Sequence, residues 1–345
     1  MTRLERLRER LEQRLLVTDL INVEYLTGFE SSNAALLVDP DGDTQLFTDF
    51  RYIEAAEAIE GVEAIMTKRS MMLDLSERVD GTVLFEADAL PYAQVEVLRS
   101  GKLKADPVRG IVEGLRAIKD DDEIEKIRRA ALAADRAFEA LTAETWIGRS
   151  ERELAWRLRQ LLHAHGVDHL AFDMAVASGS NGSKPHGGPT DDLIESGMLV
   201  TVDWGARLHG YCSDCTRTMS TGGLSAELQT IYEVCLEAQL AAVAGITPGM
   251  TGVEADALSR TVIADAGYGD NFGHGLGHGV GMLVHEAPRL SSESKDTLEV
   301  GMVITIEPGI YLPGIGGVRI EDLAVVREDG VELLNGFPKD LIAVH

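Results

Sequence analysis

Short apolar runs alternate with turn residues along the N-terminal third of the chain. Two such runs, 34–38 and 45–48, flank the turn sequence of residues 39–42, a pattern that predicts a β-hairpin. Residues 52–59 have helical spacing, and residues 82–85 predict a further strand. The charged N-terminus, MTRLERLRERLEQRLL, predicts an amphipathic helix. Together these elements predict a small α/β domain.

A new helix start marks where a second domain begins. The acidic run that starts at Asp120 supplies favourable N-cap residues, and Ile124 and Ile127 follow it at helical spacing. We therefore expect one domain at 1–117 and a second at 118–345.

The second domain combines helices with strands. Ser150 is followed three residues later by Glu153, which together form a capping box at a helix start. Helices are expected over 150–165, 224–245 and 251–267. Strand patterns dominate from residue 198 onward, so we expect an α+β arrangement.

Net charge narrows the classes of partner. The chain carries 57 acidic residues against 32 Lys and Arg, a net charge of −25. Such a field repels nucleic acid and anionic lipid, so neither is expected as a partner. A surface this acidic and poor in lysine predicts a protein adapted to concentrated salt, where self-repulsion is screened. No apolar stretch reaches about 18 residues, and the N-terminus lacks a signal-peptide core, so we expect a cytoplasmic location.

The cysteines do not predict a disulfide or redox site. The chain has three, Cys212, Cys215 and Cys235, and an odd, small number is not typical of a disulfide scaffold. Cys212 and Cys215 form a C-x-x-C, but the segment around them is strand-like, whereas redox pairs lie at a helix N-terminus. Packed thiols are the favoured interpretation.

Two acids lie on neighbouring strand patterns, LVTVDW and SDCTRT. The connection between these strands is short, and a hairpin that turns at Leu208 and His209 places Asp203 directly opposite Asp214. Directly opposed residues share one face of a sheet. The two carboxylates would repel each other there unless a cation lies between them.

A second hairpin repeats this arrangement. The strand that ends at Glu307 and the strand that ends at Glu321 flank a turn rich in Gly and Pro. A hairpin centred on Gly314 places Glu307 opposite Glu321. Four converging carboxylates are untenable at neutral pH without a metal.

A segment rich in histidine and glycine lies between the two acidic pairs. It reads FGHGLGHGVGMLVHEAP and contains His274, His278 and His285. It does not fit the dinucleotide pattern G-x-G-x-x-G, and no Walker lysine follows, so a phosphate site is disfavoured. Carboxylates with one imidazole suit manganese, cobalt, iron or zinc. Bridging carboxylates indicate two ions about 3.5 Å apart.

These phrases resemble a known family. VDWGA, SDCTRT, HGLGHGVGMLVHEAP, TIEPGIY and GVRIED are similar to the prolidase and aminopeptidase P branch of the M24 metallopeptidases, and so is SGSNGSKPHGG, which contains His186. YLTGF, SNAALLV and LFTDFRY resemble the N-terminal domain of that branch. The resemblance implies an α/β N-terminal domain and an α+β pita-bread catalytic domain with a curved antiparallel sheet. It also implies hydrolysis of the peptide bond before proline in small peptides.

The resemblance also implies roles for single residues. The metal ligands would be Asp203, Asp214, His278, Glu307 and Glu321, holding two divalent ions, with manganese favoured over cobalt, zinc or iron. The catalytic residues would be Glu307 as proton shuttle, with His285 and His186. The residues that contact substrate or support the ligands would be His274, His285, Arg289, Arg319 and Tyr311. Family members of this size are commonly homodimers.

Several alternatives stay open at this stage. A dipeptidase must bind the C-terminal carboxylate of its substrate, and Arg289 resembles a carboxylate-binding arginine, although a solvated surface arginine is an equal interpretation. The dipeptidase is favoured over aminopeptidase P, which cleaves longer peptides. The pita-bread scaffold also hosts lyases and amidinohydrolase-like enzymes, and some relatives are binding proteins, here one that retains its metal ligands.

Overall fold

A computed structural model describes residues 1–68 and 70–345 of the chain. The chain forms two compact units, Met1–Arg116 and Ala117–His345, which divide beside the expected boundary. Within the described residues, no helix is both long enough and apolar enough to cross a membrane.

The N-terminal unit is an α/β domain with one mixed sheet. Its strands are Leu15–Val17 (β1), Ala34–Val38 (β2), Thr44–Thr48 (β3), Glu63–Met66 (β4), Gly81–Glu86 (β5) and Leu103–Val108 (β6). Its helices are Arg3–Arg8 (α1), Leu20–Thr27 (α2), Ile53–Glu57 (α3), Met71–Arg78 (α4), Tyr92–Arg99 (α5) and Glu113–Arg116 (α6). The sheet order is β4-β3-β2-β1-β5-β6.

Sequence patterns locate most of this unit correctly. The predicted hairpin is confirmed, because β2 and β3 pair antiparallel with Val38 opposite Thr44. The predicted N-terminal helix is wrong in length, since α1 ends at Arg8 and the following leucines form β1. Strand β1 lies between β2 and β5, and all three of its residues are buried. Burial within the sheet outweighs the helical spacing of these leucines.

The second unit contains long helices and antiparallel strand pairs. Its helices are Asp121–Thr142 (α7), Glu151–Ala164 (α8), Gly179–Gly182 (α9), Ala226–Gly245 (α10) and Gly252–Asp265 (α11). Its strands are His169–Leu170 (β7), Ala175–Ser178 (β8), Leu199–Trp204 (β9), Ala206–Leu208 (β10), Tyr211–Cys212 (β11), Cys215–Ser220 (β12), Gly277–Gly279 (β13), Glu286–Leu290 (β14), Val303–Ile306 (β15), Gly309–Leu312 (β16), Gly316–Arg319 (β17), Asp322–Arg327 (β18) and Gly330–Leu333 (β19).

The helix starts of this unit follow their capping signals. Asp120 caps α7, and Ser150 caps α8 with Glu153 in a capping box, as predicted. The strands form the sheets β11-β10-β7, β12-β9-β8, β14-β13-β15-β18-β19 and β16-β17. All three cysteines are buried thiols.

The core of this unit packs against the back of strand β9. Trp204 is fully buried and stacks on Phe138 of α7 with ring centroids 3.9 Å apart. Asp203 is the preceding residue of the strand, so its side chain points to the opposite face. Core packing on one face of β9 therefore fixes the carboxylate on the other.

Candidate metal centre

The first acidic hairpin turns later than predicted. Strand β9 pairs with β12 so that Asp203 lies opposite Thr216, and not opposite Asp214. The two turn residues are His209 and Gly210, with φ values of 51° and 82°. Positive φ at both central positions is the signature of a type I′ turn. The predicted register is wrong by two residues, a shift that keeps both acids on one face of the sheet.

The second acidic hairpin has the predicted register. Gly309 pairs with Arg319 on one side of the acids, and Ile306 pairs with Asp322 on the other. Glu307 and Glu321 therefore lie opposite each other, as predicted. The turn is centred on Gly314, whose φ is 77°, a conformation that glycine adopts readily.

Three side chains from different elements converge beside these hairpins. Asp214, His278 and Glu321 each place one potential ligand atom within 4.8 Å of the other two. The His278 Nε2 atom lies 3.3 Å from Oε1 of Glu307 and 3.7 Å from Oδ2 of Asp214. The donor set is carboxylate oxygen with one imidazole nitrogen, which suits a hard or borderline divalent cation.

Asp203 completes the set of acids and presents one free oxygen. Its Oδ2 atom accepts a hydrogen bond from Nη2 of Arg319 at 2.7 Å. Its Oδ1 atom is buried and, among the described residues, has no hydrogen-bond partner. Buried carboxylate oxygens are normally paired, so an unpaired one beside three other acids fits a cation.

The electrostatics of the acids also fit a bound cation. Burial raises the pKa of Asp214 and Glu321 well above the ordinary range, and the neighbouring carboxylates raise both values further. Burial likewise raises the pKa of Asp203. Burial also acts to raise the pKa of Glu307, but the hydrogen bond and charge of His278 outweigh it and lower this pKa to about 2. The acids can all be ionised together only when positive charge is supplied.

Arg319 orients two of these acids, one by a direct hydrogen bond and the other through Thr216. Its Nε atom donates to Oγ1 of Thr216 at 3.0 Å, and the Thr216 hydroxyl donates to Oε2 of Glu321 at 2.6 Å. Its Nη1 atom donates to the Tyr311 hydroxyl at 2.9 Å. Arg319 and Tyr311 are both buried. They lie behind the acids, where they hold Asp203 and Glu321 in place.

Three histidines and an arginine surround the acids. The ring centroids of His278 and His285 are 4.4 Å apart. Burial lowers the pKa of His274 and of His285. Nη1 of Arg319 donates to the carbonyl of Pro185 at 3.1 Å, so the next residue, His186, lies beside the same site. His274 Nε2 lies 3.0 Å from the Tyr311 hydroxyl. Arg289 lies opposite His278 in the β13–β14 pair.

Sequence reasoning missed several residues that support the site. Thr216 bridges Arg319 and Glu321, and its alternation with Asp214 along the strand was an available signal. Lys119 and Glu286 form a buried ion pair at 3.3 Å next to His285. These two residues are far apart in the sequence, and nothing in their local patterns indicates that they meet.

Two protein-family models and a curated relative match this chain. The model of metallopeptidase family M24 matches residues 125–328, and the model of the creatinase/prolidase N-terminal domain matches residues 3–118. The chain is 43% identical to an Xaa-Pro dipeptidase of Pyrococcus horikoshii, covering 95% of this chain and 94% of that protein.

Solved structures of related peptidases superpose on nearly the whole chain. An Xaa-Pro dipeptidase from Bacillus anthracis superposes with a TM-score of 0.96 at 40% identity, covering 99% of both chains. An X-Pro aminopeptidase from Thermotoga maritima superposes with a TM-score of 0.89 at 33% identity, covering 98% of this chain and 99% of that one. These neighbours, with the α/β unit and the antiparallel sheets described above, confirm the expected fold class.

Proposed function

This chain belongs to metallopeptidase family M24, and we propose that it is an Xaa-Pro metallopeptidase that acts on small proline-containing peptides. The observation that carries this proposal is the convergence of Asp214, His278 and Glu321, with the unpaired Oδ1 atom of Asp203 beside them. The dipeptidase and aminopeptidase names of its relatives support the substrate class. Residues 118–345 would form the catalytic domain.

The proposed ligands of two divalent ions are Asp203, Asp214, His278, Glu307 and Glu321. Manganese is the proposed metal, because oxygen-rich ligation with one imidazole suits it. When bound, such ions polarise carbonyl oxygens and lower the pKa of water. Glu307 is the proposed proton acceptor and later donor, because its carboxylate lies among the proposed ligands, with Oε1 3.3 Å from Nε2 of His278.

The histidines around the acids supply the remaining groups. His285 and His186 are exposed at the site and can donate hydrogen bonds to the developing oxyanion and to the leaving proline nitrogen. His274 is proposed to line the pocket for the proline ring. Proline's tertiary amide has no N–H, so recognition must rest on ring shape and on the peptide ends.

Arg289 supports a dipeptidase over an aminopeptidase. It is exposed, it lies opposite His278, and its charge contributes to the lowered pKa of His285. A guanidinium in this position can bind the C-terminal carboxylate of a dipeptide, as a charge-assisted hydrogen bond. We therefore propose Arg289 as the residue that limits substrate length.

A peptide-length assay tests this proposal. Leu-Pro and Leu-Pro-Pro-Gly are compared with the manganese-loaded enzyme, its Arg289→Met variant and, as a matched control, Arg129→Met on the exposed face of α7. We expect Leu-Pro to be the better substrate and Arg289→Met to raise its KM roughly 10- to 100-fold. Equal turnover of both peptides by the wild type would refute the dipeptidase assignment. Hydrolysis of neither would refute the peptidase.

The cellular location, the assembly and the salt environment of the enzyme are also proposals. We place it in the cytoplasm as a homodimer, because the family resemblance implies this assembly. The net charge of −25 supports the absence of nucleic-acid and membrane partners and favours work in concentrated salt. Light scattering coupled to gel filtration tests the dimer, and a monomer at micromolar concentration would contradict it.

A further inference from the structure

Glu151 is a fully buried carboxylate with an unusual set of partners. It lies in the first turn of α8, and its side chain accepts hydrogen bonds from the backbone N–H groups and hydroxyls of Ser178 and Thr190 and from the Asn181 amide, at 2.6 to 2.9 Å. No lysine or arginine in the described ranges forms an ion pair with it. Every donor belongs to one segment, residues 178–190.

This segment forms the His186 loop, defined here as residues 178–190. Ser178 and Thr190 are its two ends, and both bond to the same carboxylate. The Asn181 amide also donates to the carbonyl of Gly188 at 3.1 Å, within the loop. Glu151 therefore ties the two ends of the loop together, and His186 lies in the stretch between them.

The loop also contacts Arg319, the residue that orients Asp203 and Glu321. Nη1 of Arg319 donates to the carbonyl of Pro185, the residue before His186, at 3.1 Å. A Cβ atom on Gly317 would overlap the carbonyl oxygen of Gly182, so the loop packs directly on strand β17. The loop is thus held between Glu151 at its base and Arg319 beside the acids.

We propose that Glu151 is a positioning residue that fixes His186 over the metal centre. A buried carboxylate without a cation is costly unless hydrogen bonds surround it, and here the loop supplies all of them. Opening the loop would leave the carboxylate unsatisfied, so the charge favours the closed conformation. This inference rests on the proposed role of His186 in catalysis.

The amide isostere of Glu151 gives a sharp test. Oε1 accepts from the backbone N–H of Ser178, and Oε2 accepts from the backbone N–H of Thr190. In Glu151→Gln, either orientation of the new amide sets an NH₂ group against one of these fixed N–H donors. Hydroxyl groups can rotate away from such a clash, but backbone N–H groups cannot.

Glu153→Gln is the matched control on the same helix. Glu153 accepts from the backbone N–H and hydroxyl of Ser150 in the capping box, and within the described part of the chain it forms no hydrogen bond with the His186 loop. Amide hydrogen exchange of residues 178–190 and the kinetics of Leu-Pro hydrolysis are measured on the manganese-loaded proteins. Glu151→Gln should exchange loop amides at least about 10-fold faster and lower kcat roughly 10- to 100-fold with little change in KM. Glu153→Gln should match the wild type in both, and metal content should be unchanged throughout.

Combination with His186→Ala separates positioning from a general structural role. If Glu151 acts through His186, the double variant should lose no more kcat than His186→Ala alone. Losses that multiply would overturn the inference, as would wild-type loop exchange in Glu151→Gln. If Glu151→Gln does not fold, Ser178→Ala removes one hydroxyl donor and should accelerate loop exchange in the same direction. An inactive wild type would refute the proposed function, while the exchange data would still decide whether Glu151 holds the loop.

Discussion

Arg319 and Asp203 form an ion pair in which only one carboxylate oxygen takes part. Nη2 of Arg319 lies 2.7 Å from Oδ2 of Asp203, whereas Oδ1 is buried without a partner in the described ranges. The pair fixes the rotation of the carboxylate. Asp203 therefore presents a single oriented oxygen to the metal centre.

Replacing Arg319 by lysine should weaken metal binding without removing the charge. Lysine cannot reproduce the planar fork that contacts Asp203, Thr216 and Tyr311 together. We expect the Kd for manganese to rise roughly 10- to 100-fold in calorimetric titration. Arg327→Lys, on an exposed pair with Glu332, is the control. An unchanged Kd in Arg319→Lys would show that the ligand needs no such support.

Removing the Tyr311 hydroxyl should lower activity more than stability. The hydroxyl links His274 Nε2 to Arg319, so Tyr311→Phe leaves both groups short of a partner. We expect kcat/KM for Leu-Pro to fall roughly 10-fold, the equivalent of about 1–2 kcal/mol. Tyr232→Phe is the control, because its hydroxyl bonds the carbonyl of Lys339 away from the acids. Equal kinetics in the two variants would contradict this role.

Metal removal should make stability depend on pH. Without metal, the raised pKa values of Asp214 and Glu321 mean that the folded state binds more protons than the unfolded state. Stability must then fall as pH rises above the ordinary carboxyl range. The raised pKa of His278, where the hydrogen bond and charge of Glu307 outweigh burial, acts in the same direction. The lowered pKa of Glu307 adds a contribution to stability that is present above the ordinary carboxyl range. This contribution is lost as the pH falls through the lowered pKa.

The measurement is a melting curve of chelated and manganese-loaded protein. We expect the Tm of the chelated protein to fall between about pH 5 and about pH 8, and the gap to the loaded protein to widen. A chelated protein whose Tm does not change over this range would show that ionising the buried acids does not destabilise the metal-free protein.

The two acidic hairpins show what sequence patterns can and cannot predict. The register of Glu307 and Glu321 was predicted correctly, because a hairpin centred on Gly314 places equal numbers of residues between the turn and each acid. The other hairpin has a two-residue turn at His209 and Gly210, and the positive φ of His209 is uncommon for a residue with a side chain. The turn predicted at Leu208 and His209 puts the strands two residues out of register, because local pattern does not anticipate a positive φ at His209.

Contacts between residues far apart in the chain could not be predicted from the sequence, for a different reason. Glu151 has the appearance of an ordinary acid at a helix start, which the dipole of the helix favours. Its hydrogen bonds to Ser178 and Thr190 depend on how α8 packs on a loop whose ends lie 27 and 39 positions later in the chain. Helical periodicity gives the face of a residue but not the identity of its neighbour.

Arg217 should be a major contributor to stability. Its Nη2 atom lies 2.7 Å from Oδ1 of Asp322, and both side chains are 2% exposed. It also donates to the carbonyls of Phe337 and Pro338. Arg217→Met leaves Asp322 with Lys339 and Gln239 as its remaining partners, and we expect a loss of about 1.5–3 kcal/mol in urea unfolding.

A surface pair provides the comparison for Arg217. Arg152 and Asp191 are 2.7 Å apart but largely exposed, so Arg152→Met should leave the free energy of unfolding unchanged within error. Similar losses in both variants would mean that burial of the Arg217 pair contributes nothing.

Salt should stabilise the protein through screening. With a net charge of −25, the folded chain repels itself, and added ions weaken this repulsion. We expect Tm to rise as KCl increases from about 0.1 M to about 2 M. Sucrose at matched osmolality is the control for general exclusion effects. No gain in KCl beyond that in sucrose would refute adaptation to salt.

The turn around Gly314 restricts how this part of the gene can change length. Glu307 and Glu321 face each other only because equal numbers of residues separate each from the centre of the turn. A one-residue insertion or deletion there would send one acid to the other face of its strand. The turn at residues 39–42 lies in the N-terminal sheet and joins strands that carry none of these acids. A one-residue change there should leave Glu307 and Glu321 facing each other, whereas the same change at Gly314 should eliminate activity, which makes insertion scanning an independent map of the site.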